Sequence, residues 1–116
     1  MFFGCATTEG TVSAEVEEIP FSKAELEEFL IGKTFPLSKG AFYFENDDKL
    51  IAIWDNQVEE TTWRATDDSQ FCYELKMFGG RECLGLFKKG SDELVRVYEG
   101  DKRYLKVSDV KNGKTF

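Results

Sequence analysis

Two hydrophobic periods divide this chain, a short helical one near its beginning and an alternating one from Phe35 onward. In "IPFSKAELEEFLIGKTF" the residues Leu26, Phe29 and Leu30 recur at i, i+3 and i+4, with Glu27 and Glu28 on the opposite side, which is the stripe of an amphipathic helix. Ser22 followed three positions later by Glu25 forms a capping box, and Phe21 stands where it can staple onto Leu26. The helix is predicted to start at Lys23 and to end at Gly32.

Beyond Phe35 the turn-forming clusters "ENDDK", "DNQ", "TDDS", "FGG", "KKGSD", "EGDK" and "KNGK" recur about every 8 to 12 residues, the rhythm of a chain of hairpins. Strands are predicted near 41–45, 49–55, 60–66, 70–76, 82–88, 93–99 and 103–108, with a last one near Thr115. The expected fold is mainly β: an antiparallel meander of roughly seven or eight strands forming a small barrel or strongly curved sheet, with one short N-terminal helix packed on it. Residues 20–116 make one such domain, and 1–19 precede it as a tether.

Parity assigns the faces. Trp63 and Ala65 alternate with Thr62 and Arg64; Phe71, Tyr73, Leu75 and Met77 alternate with Cys72, Glu74 and Lys76; the first set of each goes inside. Leu84 and Leu86 are inward by the same rule, leaving Cys83, Gly85 and Phe87 outward, and Phe42 and Phe44 share one face. "KLIAIWD" is apolar on both faces, so the Ile51 and Ile53 side is expected to lie under the helix.

Cys72 and Cys83 thus share the outer face of adjacent strands, as a cross-strand disulfide requires. A two-residue turn at Gly79-Gly80 would offset them by about 13 Å along the strands, too far for a bond that needs Cα atoms within about 7 Å. A four-residue loop from Lys76 to Gly79, with Gly79 left-handed, instead pairs Leu75 with Gly80 and sets Cys72 opposite Cys83. Met77 and Phe78 then go to an exposed hairpin tip, where with Phe87 they are candidates for a protein contact. Zinc is disfavoured, because there is no histidine and no second cysteine pair, and thiol redox catalysis lacks its C-x-x-C. A disulfide is favoured over two buried thiols because Glu74, Lys76 and Lys88 lie on the same face.

Composition narrows the chemistry. The chain has 116 residues, 41% of them hydrophobic and 15% aromatic, which suits one packed domain. Its net charge of −7 removes the main attraction for phosphate backbones, so no nucleic acid is expected as partner. No apolar run approaches a membrane span, and the folded part is expected to be soluble. With no histidine, most acid–base and nucleophilic templates fail, and no catalytic residue, metal or cofactor is expected. The acid pairs Asp47-Asp48 and Asp67-Asp68 suit solvated turns better than a catalytic or calcium site. Tyr43, Phe44, Trp54, Trp63 and Tyr73 are candidates to line an apolar ligand pocket, although a barrel this small is expected to fill its interior with its own side chains.

At the start, Phe2-Phe3-Gly4-Cys5 resembles the tail of a bacterial lipoprotein signal, which implies lipidation of Cys5 and a Thr/Ser/Glu/Gly-rich tether from Ala6 to about Glu18. Only four residues precede Cys5, too few for an export segment, so the rest of such a leader would lie upstream of Met1; the alternative is an N-terminus with an incidental cysteine. The series "LIGKTF", "YF" before an acidic turn, "TTWRATDD", "FCYEL" and a second cysteine resembles uncharacterised families of small exported alphaproteobacterial proteins. The resemblance implies a periplasmic or outer-membrane location, lipid-anchored or secreted, with the membrane contacted only through the N-terminal lipid. The leading expectation is a non-enzymatic cell-envelope binding or structural module whose partner is an envelope protein. A lipocalin-like carrier of a small apolar ligand comes second, and a carboxylate-dependent enzyme last.

Overall fold

The computed structural model describes residues 17–116. Among them are ten strands, where the sequence pattern predicts seven or eight, and one α-helix. In chain order they are β1 (Glu18–Pro20), α1 (Lys23–Leu30), β2 (Lys33–Pro36), β3 (Gly40–Phe44), β4 (Lys49–Trp54), β5 (Gln57–Ala65), β6 (Gln70–Leu75), β7 (Gly80–Lys89), β8 (Glu93–Tyr98), β9 (Asp101–Lys106) and β10 (Lys111–Asn112). Every pairing is antiparallel, in the order β10-β2-β3-β4-β5-β6-β7-β8-β9. The sheet curls into a half-barrel with β10 and β9 as its edges.

The additional strands are short segments next to other elements. β2 lies directly after α1, where its apolar residues merge with the helical stripe, and it ends on Pro36. β1 takes Glu18 and Ile19, assigned to the tether from sequence, into the sheet against Lys89 and Lys88. The last strand lies at Lys111–Asn112 rather than near Thr115.

Turn chemistry sets the register. Asp55 and Asn56 both have positive φ (52° and 69°), as does the pair Glu99-Gly100 (50° and 84°), so β4–β5 and β8–β9 are two-residue hairpins of the kind that matches strand twist. Between β6 and β7, Lys76–Phe78 form a 3-10 turn and Gly79 is left-handed at φ 88°. Leu75 consequently pairs with Gly80 and Cys72 with Cys83, as the disulfide register demands. The two sulfurs lie at bonding distance, 2.08 Å apart.

The capping box of α1 is complete: Ser22 Oγ accepts from the Glu25 N–H at 3.1 Å, and Glu25 Oε1 accepts from the Ser22 N–H at 2.9 Å. Leu26 and Leu30 of α1 join Phe35, Phe44, Leu50, Phe71 and Leu86 in a single core. The helix therefore closes one end of the half-barrel's interior and does not cover the Ile51 and Ile53 face. That face lies outside, with Ile51 between its cross-strand neighbours Tyr43 and Glu60. Strand β4 is apolar on both sides because Leu50 and Ala52 fill the interior while Ile51 is itself buried among its neighbours.

Ser69 joins the helix end to the sheet. Strand β7 pairs with β6 up to Gly85 and with β1 from Phe87, so its partner changes at Leu86. At that break the fully buried Ser69 accepts the Phe21 N–H on Oγ at 2.7 Å and donates the same hydroxyl to the Leu86 carbonyl, while its own carbonyl takes the Leu86 N–H. One side chain thus satisfies backbone groups that the change of partner would otherwise leave unpaired in the interior.

Candidate ligand-binding site

The end of the half-barrel away from α1 is open, and a cavity of about 280 Å³ lies there. Its apolar wall is built from Phe42 on β3, Trp54 at the end of β4, Tyr73 on β6, Leu84 on β7 and Phe78 from the 3-10 turn, with Leu37 at the rim. Phe42 is wholly buried and forms the floor with the top of the aromatic core, its ring 4.8 Å from that of Tyr73 and 6.3 Å from that of Phe44.

Phe78 does not stand out from the hairpin tip. The 3-10 turn folds it back over the opening, its ring 5.2 Å from Trp54 and 6.4 Å from Tyr73. Both oxygens of Glu59 hold that turn by accepting the N–H groups of Lys76 (2.8 Å) and Met77 (3.1 Å). Met77 is half-buried against the core as well. Phe87 lies far along β7 between Pro20 and Val95, half-covered by β1. The expected contact cluster of Met77, Phe78 and Phe87 therefore does not assemble, because this 3-10 turn, held by Glu59, packs Phe78 against Trp54 and Tyr73 and because β1 covers the other end of β7.

The five aromatic candidates divide. Trp54 and Tyr73 line the cavity. Phe44 and Trp63 are core, with ring centroids 4.7 Å apart and the Trp63 indole N–H donating to the Asn46 carbonyl at 2.8 Å. Tyr43 has the opposite parity to Phe42 and Phe44 and lies outside.

Facing the aromatic wall is a polar one contributed by β7, β8 and β9. Glu82 accepts the hydroxyl of Tyr73 on Oε1 at 3.1 Å and that of Tyr98 on Oε2 at 2.8 Å. Burial, reinforced by the Glu82 charge, keeps the Tyr73 phenol protonated well above the usual tyrosine range, and the hydrogen bond to Glu82 shifts Tyr98 in the same direction. Arg96 and Arg103 stand directly opposite each other on β8 and β9. Arg103 Nε donates to Asp101 Oδ2 at 2.9 Å, whereas the buried Nε of Arg96 has no hydrogen-bond acceptor. Burial lowers the Arg96 pKa and the neighbouring Arg103 adds to that effect, partly offset by Asp101 and Tyr73.

None of these polar residues was a candidate from sequence, although a signal for them exists. Glu82 has the parity of the inward Leu84 and Leu86, and Arg96 has the parity of the buried Leu94. Charged residues at positions where a strand's period calls for apolar ones mark a lined cavity.

Among the described residues no group of three or more Cys, Asp and Glu side chains is arranged to hold a metal ion, and no helix is long and apolar enough to cross a membrane. Residues 2–84 match the model of a family described as "Protein of unknown function (DUF995)". That stretch includes both paired cysteines, Trp54 and Phe78, and ends before β8 and β9. No curated protein and no solved structure matches the chain.

Proposed function

The chain belongs to the DUF995 family, and we propose that it is a non-enzymatic binding module of the bacterial cell envelope that holds a small, mainly apolar ligand in the open mouth of its half-barrel. One observation carries this reading. The mouth cavity of about 280 Å³ has an aromatic wall and a few converging polar groups, the make-up of small-ligand sites, and its volume is near the lower end of their range. The interior below it is filled by Phe35, Phe44 and Phe71, so a ligand would sit in the mouth and not deep in a barrel.

The envelope part of the proposal has separate support. A disulfide such as Cys72–Cys83 persists in oxidising compartments, and Gly4-Cys5 has the form of a lipidation site, a position outside the described residues. On this reading the protein is exported, is anchored by a lipid on Cys5 and meets the membrane only through that lipid. The small exported alphaproteobacterial proteins that it resembles are expected to share this arrangement.

Titration with the neutral probe N-phenyl-1-naphthylamine tests the site. Saturable fluorescence enhancement is expected, weakened about tenfold in Phe78→Ala, since Phe78 supplies much of one wall. Absence of saturable binding, or binding indifferent to Phe78→Ala, overturns the ligand reading. Radiolabelled palmitate should enter the native gene product and be lost in Cys5→Ser; a product that stays unlabelled refutes the anchor.

A further inference from the structure

We propose that the ligand of the mouth is a small amphipathic anion, an apolar body ending in a carboxylate, and that Arg96 is the residue that recognises the carboxylate. The inference rests on the mouth being a ligand site and names the chemistry that site would select. Arg96 lies on the inward parity of β8, where its strand neighbour Leu94 is core. A guanidinium brought into such a position normally has a carboxylate to receive it, because leaving a buried donor unpaired has a cost. Here no carboxylate does so. Among the described residues Arg96 forms no ion pair, and its Nε is buried without an acceptor.

The two acids nearest in the cavity are already engaged. Both oxygens of Glu82 accept phenol hydroxyls, and Asp101 receives Arg103. The residue directly across from Arg96 is Arg103, a second cation where a sheet would ordinarily avoid a like charge. Two guanidinium groups side by side, one of them short of an acceptor, face Phe42, Trp54 and Phe78 across the cavity. The planar donor fork of arginine matches a carboxylate through two parallel hydrogen bonds, and the aromatic wall takes the apolar remainder of the same molecule.

A matched pair of ligands tests this: 2-naphthoate and its neutral isostere 2-naphthamide, titrated against the full chain with Trp54 and Trp63 fluorescence as the signal. The naphthoate is expected to bind about tenfold more tightly than the amide, the worth of one charged hydrogen bond at a half-open site. Arg96→Met should bring the two affinities together, and Arg103→Gln should narrow the gap by less; a gap that survives Arg96→Met overturns the assignment to Arg96. Equal affinities in the unaltered protein overturn the carboxylate assignment and leave the ligand site standing. Failure of both compounds to bind at millimolar concentration overturns both. If Arg96→Met does not fold, Arg96→Gln, which keeps a polar side chain at the half-buried position, takes its place, and a naphthoate preference undiminished in it overturns the assignment.

Discussion

Reducing the Cys72–Cys83 bond should destabilise the fold by an amount that follows from the sequence separation of 11 between its ends. In the chain-entropy description, a link closing a loop of that size removes about 9 cal/mol/K from the unfolded ensemble, or about 2.8 kcal/mol at room temperature. For a folded unit of about 100 residues, whose unfolding entropy is about 0.2 kcal/mol/K, that corresponds to a fall in Tm of about 13 °C. Reduction of the unaltered protein is the cleaner perturbation. Cys72 is 5% exposed, and Cys72→Ser would add the desolvation of a buried hydroxyl to the loss of the link.

Urea unfolding followed by tryptophan fluorescence, with and without reductant, reads the difference. The midpoint should fall on reduction, and the slope should rise, because the unlinked unfolded chain exposes more surface. Two outcomes refute the reasoning. One is a midpoint unchanged by reductant in protein shown to be linked; the other is two free thiols found by mass measurement in protein folded under oxidising conditions.

Three further perturbations address other joints of the structure. Ser69→Ala removes the group that accepts the Phe21 N–H and donates to the Leu86 carbonyl, so a loss of about 2 to 4 kcal/mol is expected in urea unfolding; a loss below about 1 kcal/mol would mean that water replaces the hydroxyl at this junction. Gly40→Ala would place a Cβ 1.8 Å from the Ile53 carbonyl oxygen, so β3 and β4 cannot keep their pairing, and a Tm drop of more than about 10 °C or failure to fold is expected; an unaltered Tm disproves the close approach. The Glu25 carboxyl is held below the usual range, first by the Ser22 N–H and then by the Lys88 charge. A lowered folded-state pKa stabilises the fold above the ordinary carboxylate range and loses that contribution as pH falls through the lowered value. The unaltered protein should therefore exceed Glu25→Gln in stability at neutral pH, with the difference shrinking towards acid, and a pH-independent difference would contradict it.

The hairpins and α1 were legible because their determinants are local. Ser22 and Glu25 cap the helix as their spacing predicts, the turn clusters mark where β3 to β9 begin and end, and the register that places Cys72 opposite Cys83 is the one expected for a four-residue loop from Lys76 to Gly79, the alternative to a two-residue turn at Gly79-Gly80. β1 and β2 were not legible because each is three or four residues long and ends on a proline; β1 takes its pairing from the distant β7, and the apolar residues of β2 merge with the helical stripe just before it. Where α1 packs was likewise not a local property. Both faces of β4 are apolar, and nothing within "KLIAIW" says that Leu50 and Ala52, and not Ile51 and Ile53, meet the helix across the core.

The site was less legible than the fold, because its polar half puts charged residues, Glu82 and Arg96, at inward positions that an apolar period does not pick out. Strand parity places Glu82 beside Leu84 and Arg96 beside Leu94, and the pairing of β8 with β9 then brings Arg103 alongside. Phe78 is a different case. Its direction depends on a 3-10 turn held by Glu59 from another strand, so its place over the mouth could not be inferred from its own segment. The cavity thus joins a wall encoded in strand parity to a cover fixed by a tertiary hydrogen bond, and the two should be separable. Glu59→Gln keeps an acceptor but loses the charge, weakening the hold on the turn without touching the wall. The neutral probe should then bind more weakly while the preference for naphthoate over naphthamide persists, because Arg96 lies on β8 and not on the turn. Loss of that preference together with the affinity would show that wall and cover form one unit.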